Sequence, residues 1–321
     1  MAFGDLSSRF DSVFDRLGGN QSGRQSGGVV QGSSGNDVLI GDSDNRNTII
    51  GLDGSDQILG GNAGDTIFTG SSSSLALGQG GGDKIFGSFG NDQLAGGPGD
   101  DRIFAGLGND FAIGGDGDDF ITGDLGNDTL FGDAGDDKLY AGLGDDIVLG
   151  GAGNDQIDGS GGGDVLFGDA GDDEITGGTN GDPAGPAAFF EDFVVGGAGS
   201  DTLNAFGGGV GTLERDNLVG GGSVDSAGNV DVTVRDTDPD LFVLGDDEGS
   251  FYIGNGGADF AIIWDYTPGI DTLGLSAADE IVFGATSVVS ASDTAIAAIT
   301  PNGPDLIAIL VGVSPAAIGA V

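Results

Sequence analysis

The 321-residue chain has no cysteine, no histidine and only 9 basic residues. Without cysteine there are no disulfides, no thiolate nucleophile and no zinc site built on sulfur. Without histidine the usual general base is missing, and with it the His-Glu-x-x-His metalloprotease and the ordinary serine-hydrolase triad. So few Lys and Arg leave no basic footprint for phosphate, which argues against nucleic acid as a partner. No apolar run approaches the roughly 20 residues of a membrane-spanning helix. The opening Met1-Ala2-Phe3-Gly4-Asp5 lacks the basic and apolar regions of a cleaved signal peptide. Any export is expected to use another signal.

Glycine and acid are abundant instead: 70 Gly and 52 Asp plus Glu, for a formal net charge of −43. Such a charge destabilises a compact state by self-repulsion unless something cationic binds, and a multivalent cation is the natural counterpart. Yet 37% of the residues are hydrophobic, enough for a core if the acids gather in turns and the apolar residues in strands.

The order of the residues supports that division. From Gly51 the chain repeats about every nine residues, as in Gly51-Leu52-Asp53-Gly54-Ser55-Asp56-Gln57-Ile58-Leu59. Between Gly78 and Thr176 the sixth place is always Asp: Asp83, Asp92, Asp101, Asp110, Asp119, Asp128, Asp137, Asp146, Asp155, Asp164 and Asp173. The eighth place is always aliphatic, from Ile85 and Leu94 to Leu166 and Ile175. Earlier units carry Asp37, Asp56 and Asp65 at the sixth place, and an isolated later unit carries Asp201. The unit Thr69–Leu77 keeps the phase but has Ser74 at that place, and the longer unit Gly41–Ile50 has Asn47.

Glycines at places one, two and four suit tight turns and close backbone approach. The last three places read as a short strand with one side chain inward. Two units then form one coil, and stacked coils pair their strands in parallel over an aliphatic seam. Same-side turns stack as well, bringing sixth-place carboxylates near one another. Calcium suits such a row, being hard and accepting carboxylate and carbonyl oxygens alike. The fifteen aspartates named above are the expected ligands, for on the order of ten ions. The fifth-place acids Asp100, Asp118, Asp136, Asp145 and Asp172 are expected to be solvated.

Gly96–Phe104 (GGPGDDRIF), Gly132–Tyr140 (GDAGDDKLY) and Gly150–Asp158 (GGAGNDQID) resemble the GGxGxDxUx nonapeptide of RTX proteins, the haemolysin-type calcium-binding repeats. The resemblance runs from Gly32 to Asp182, with outliers such as Gly196–Asn204. It implies an all-β fold with a parallel β-roll (residues 31–182), calcium-dependent folding and type I secretion. The segments around Asp240–Asp246, Asp259–Tyr266 and Gly269–Leu273 look like the region downstream of such repeats, especially in cyanobacterial members. Residues 183–321 are then expected to be β-rich, with degenerate repeats and an export signal near the end. Ahead of the roll, Leu6, Phe10, Val13, Phe14 and Leu17 fall at helical spacing, followed by a flexible linker up to residue 30.

The acids crowding the turns are expected to serve calcium or solvent rather than glycosidic chemistry, and the chain is expected not to be an enzyme. Alternate units fall on one sheet, and one of the two sheets has an apolar outer face that includes Ile113, Phe131, Leu149 and Phe167. A face of that size marks an interface, with the chain's own C-terminal region or with another copy. The expected function is a secreted calcium-binding structural protein that self-assembles into a cell-surface layer, fibre or matrix. A monomeric adhesion or glycan-binding module, with cell-surface polysaccharide as partner, is the alternative.

Overall fold

A computed structural model of the chain describes residues 24–26, 28–178, 192–204, 215–221 and a series of shorter segments between 223 and 311. Every regular element among them is a β-strand. Successive strands alternate between two sheets, so each pairs in parallel with the strand one coil later. Arg102–Leu107 pairs with Phe120–Leu125 in one sheet, sheet A, and Phe111–Asp116 with Thr129–Ala134 in the other, sheet B. Among the described residues the sheets have 13 and 14 strands. The expected parallel β-roll is what the chain forms.

The eighth place builds the seam. Ile85, Ile103, Ile121 and Leu139 stand in register on sheet A, all fully buried. Leu94, Ala112, Leu130, Val148 and Leu166 form the facing wall from sheet B. Each large aliphatic side chain taken out of water there stabilises the coil by about 1.5–3 kcal/mol.

The strands are longer than their three-residue sequence pattern. Lys84–Phe89 spans the last three places of one unit and the first three of the next, with Ile85 and Gly87 inward. Each unit therefore sends two side chains inward, and the second, at place one, must be small. Thr69, Ala105 and Ala141 hold that place fully buried, and most units use Gly there. At Gly123 an added Cβ would collide with the Asp128 carboxylate and the Ala141 carbonyl. Place four is glycine for another reason: Gly126 has φ 133°, in a region that L side chains rarely adopt.

Past residue 192 the same two sheets continue. Phe193–Ala198, Arg215–Val219 and Phe260–Ile263 extend sheet B; Thr202–Asn204, Leu241–Val243 and Thr272–Gly274 extend sheet A. Sheet B then ends in a three-stranded antiparallel group, Ile281–Thr286, Asp293–Thr300 and Gly303–Leu310. At the opposite end Arg24–Ser26 folds back antiparallel on Val29–Gln31. The helix expected from Leu6 to Leu17 lies outside the described residues. Among the described residues no helix is long and apolar enough to cross a membrane.

Both outer faces carry ordered columns. On sheet A the rings of Phe68, Phe86 and Phe104 stack at 4.9 and 5.1 Å, and Phe120 and Tyr140 continue the column with tilted rings. On sheet B, Ile113, Phe131, Leu149, Phe167, Val195 and Val219 stand in one register. Phe131 and Phe167 are buried, Ile113 and Leu149 half-buried. Phe167, Val195 and Val219 form a second buried cluster, with Leu149, Val165 and Phe193 packed on it.

Candidate metal centre

Each sixth-place residue sits where a turn enters a strand, and stacking the coils aligns these residues in two columns, one along each edge of the roll. Along the edge leading into sheet A the backbone N–H of Asp83 donates to Asp101 Oδ1 at 2.6 Å, Asp101 to Asp119 at 2.7 Å, Asp119 to Asp137 at 2.7 Å and Asp137 to Asp155 at 2.8 Å. Along the other edge Asp92 donates to Asp110, Asp110 to Asp128 and Asp128 to Asp146, at 2.6–2.7 Å. One oxygen of every carboxylate is thus used to pair the backbone of the preceding coil. These amides lie just before the strand begins, where no ladder partner reaches them.

The other oxygen is left over. In Asp56, Asp65, Asp83, Asp92, Asp101, Asp110, Asp119, Asp128, Asp137, Asp146, Asp155, Asp164 and Asp173, Oδ2 is buried and accepts no hydrogen bond. Isolated buried carboxylate oxygens are unfavourable and call for a counter-charge. Each points over place one of its own unit, where the carbonyl of place one in the next coil also converges. At Gly60, for instance, the Gly78 carbonyl oxygen and Asp65 Oδ2 lie 2.5 and 2.6 Å from the point a Cβ would occupy. Ala105 and Ala141 narrow this cradle by one methyl in their own coils.

Burial raises the carboxyl pKa values along both edges. Asp101, Asp155 and Asp164 are pushed up to about 8, and Asp83, Asp92, Asp119, Asp128 and Asp137 to about 7. Asp146 and Asp173 reach about 6. Desolvation is the main cause. The amide hydrogen bond opposes it, and for most of these residues neighbouring aspartates reinforce it, as Asp119, Asp83 and Asp100 do around Asp101. In an ion-free roll these groups therefore resist ionisation near neutral pH.

The donor set fits a hard cation: carboxylate and carbonyl oxygens, no nitrogen or sulfur, and a charge deficit at each cradle. Among the described residues no three acidic side chains converge on one point. Backbone carbonyls would therefore supply much of any coordination shell. The columns are not rows of touching carboxylates, as stacking alone suggests, but carboxylates spaced by backbone amides.

Of the expected ligands, Asp37 differs from the rest, since its Oδ2 accepts from the Ser33 backbone and hydroxyl at 2.5 and 2.9 Å. Asp201 continues its column, accepting from Asp173 at 2.9 Å. The expected ligand set left out Asp192, Asp216 and Asp240, which also continue the columns across longer connections. The aliphatic neighbours in Asp192-Phe193-Val194 and Asp240-Leu241-Phe242 were the available signal. The fifth-place residues are exposed, as expected, but they also form an outer ladder. Asp118 donates its N–H to Asp100 Oδ1, Asp136 to Asp118 and Asn154 to Asp136.

The family model of the RTX calcium-binding nonapeptide repeat (4 copies) matches residues 25–45, 43–73, 77–112, 113–148, 149–182 and 189–208, more than half of the chain. No curated protein matches it.

Proposed function

The chain belongs to the family of RTX calcium-binding nonapeptide repeats, and from that premise we propose that it is an extracellular structural protein whose roll forms on binding calcium and then self-assembles. The observation that carries the reading is the run of buried, unpartnered Oδ2 atoms from Asp56 to Asp173. A β-roll of calcium-binding repeats is a scaffold, and its charge can be held only with cations present. Asp56, Asp65, Asp83 and the other sixth-place aspartates through Asp173, with Asp201, would hold the ions together with the facing place-one carbonyls. Calcium, when bound, supplies the positive charge that desolvated carboxylates lack, in a shell of about 6–8 oxygens.

The chain's own residues do the rest. Sixth-place Oδ1 atoms fix each turn onto the previous coil, the eighth-place aliphatics close the seam, and the place-one glycines leave room at the cradle. In a calcium-poor cytosol the carboxylates repel and the chain stays loose enough for export, with the signal for it in residues 183–321. In millimolar calcium the roll closes, since extracellular calcium modules bind at about 10⁻⁴–10⁻³ M. The sheet B column then offers an assembly surface where it is least covered, at Ile113, Leu149 and the exposed Ile147. Particle size and electron microscopy with and without calcium test this. Layers or fibres that appear with calcium and dissolve in chelator are expected. A monomer in millimolar calcium would reject assembly and favour a binding module.

A further inference from the structure

Two turns near the start of the roll are built differently from the turns of Asp56 to Asp173 with their bare Oδ2 atoms, and the difference lies in what occupies the cradle. In the unit Thr69–Leu77 the three features that leave bare oxygen elsewhere are each replaced. The sixth-place carboxylate is Ser74, whose hydroxyl accepts from the Asp56 backbone N–H at 3.0 Å and donates to the Ser72 carbonyl at 3.0 Å. Place one is Thr69 instead of glycine or alanine, so a side chain fills the space. Its buried hydroxyl donates to the Gly87 carbonyl, the oxygen that faces the cradle from the next coil. No orphaned oxygen is left.

The second turn is that of Asn47. Its Nδ2 lies 2.6 Å from the point a Cβ on Gly41 would occupy, beside the Gly60 carbonyl oxygen. From there it donates to the Asp42 carbonyl at 3.0 Å, the Asn45 carbonyl at 2.8 Å and Asp65 Oδ1 at 3.0 Å. An amide N–H₂ directed at several oxygens supplies partial positive charge where the other turns present an unpaired carboxylate oxygen. At the first turn Ser33 pairs Asp37 Oδ2 in a similar way.

We infer that the turns of Asn47 and Ser74 close on the chain's own hydrogen-bond donors instead of calcium, making residues 32–77 a segment of the roll that orders at lower calcium than the coils after it. Thr69 and Asn47 are positioned as built-in substitutes for the ion. The segment still contains Asp56 and Asp65, so its calcium requirement is reduced and not abolished. This inference rests on the reading of the other cradles as calcium sites.

Two measurements on the full chain test it. The first counts bound calcium in the parent and in the double variant Thr69→Gly/Ser74→Asp, which recreates the features of a standard cradle. A gain of one ion per chain is expected. If the parent binds calcium and the double variant binds no more, the inference fails while the calcium reading stands. If the parent binds none, the calcium reading itself fails. The second needs no variant: amide hydrogen exchange during a calcium titration, resolved by peptide. Protection across residues 32–77 should appear at lower calcium than across 78–178. Protection that appears there simultaneously or later would overturn the inference.

Discussion

Replacing Asp128 by Asn should shift stability in opposite directions with and without calcium. Asp128 Oδ1 accepts the Asp110 N–H at 2.7 Å, and Oδ2 is buried without a partner. Asparagine keeps an oxygen for the first role and removes the charge from the second. Burial pushes the Asp128 carboxyl up to about 7 from 3.8, and each tenfold change in a protonation equilibrium is worth about 1.4 kcal/mol. At pH 8 the ion-free roll should therefore gain on the order of 4 kcal/mol from Asp128→Asn. In calcium the same variant loses an anionic ligand and should be destabilised. Asp128→Ala removes the charge as well but leaves the Asp110 amide buried and unpaired, which costs about 1–3 kcal/mol. It should fall below Asn in both media. In chelator at pH 8, where the roll is loose, the concentration of a stabilising osmolyte needed to restore β-structure by circular dichroism reads all three; in millimolar calcium urea unfolding does. Equal destabilisation of the Asn variant in both media would refute the reasoning, because a purely structural role for Asp128 predicts no change of sign.

Acid should partly replace calcium. Burial pushes the carboxyls of Asp83, Asp101, Asp146 and Asp164 up to about 6–8 in the ion-free roll, from 3.8. Their contribution to folding is thus present at low pH and lost as pH rises through that range. Circular dichroism in chelator should show β-structure increasing from pH 8 to pH 5, and calcium affinity should weaken over the same interval; a flat profile contradicts this. In the seam, Leu139→Ala should cost about 2–5 kcal/mol in calcium by urea unfolding, and a loss below 1 kcal/mol would mean that the eighth place does not carry the core. Gly126→Ala places a Cβ against the Gly108 carbonyl at φ 133°. It should cost more than about 1 kcal/mol, whereas Ala141→Gly, at a place other units fill with glycine, should change stability far less.

Much of the fold was legible because its period matches its geometry. Aspartate at place six and an aliphatic at place eight recur every nine residues from Gly78 to Thr176, and the sheets pair residues 18 apart, as Ile103 with Ile121. Past residue 182 the connections lengthen. Asp164 and Asp192 are 28 residues apart in one column, and Asp201 and Asp240 are 39 apart in the other. A column set by backbone stacking tolerates such spacing, but a nine-residue period does not reach across it, so Asp192, Asp216 and Asp240 were left out of the expected ligands. The inward turn of place one was hidden for a different reason. Glycine there looks the same whether chosen for a positive φ or for lack of space, and only Thr69, Ala105 and Ala141 show that the position is interior. The hydrogen bonds of Ser74 and Asn47 were invisible in one dimension, where both residues look like simple losses of a ligand.

Far-UV circular dichroism of the chelated protein at pH 8, followed as calcium is added at constant ionic strength, tests the central claim most directly. The account predicts a steep gain of β-structure in the submillimolar to millimolar range that chelator reverses and a monovalent salt does not reproduce. A spectrum already β-rich in chelator and unmoved by calcium would contradict it.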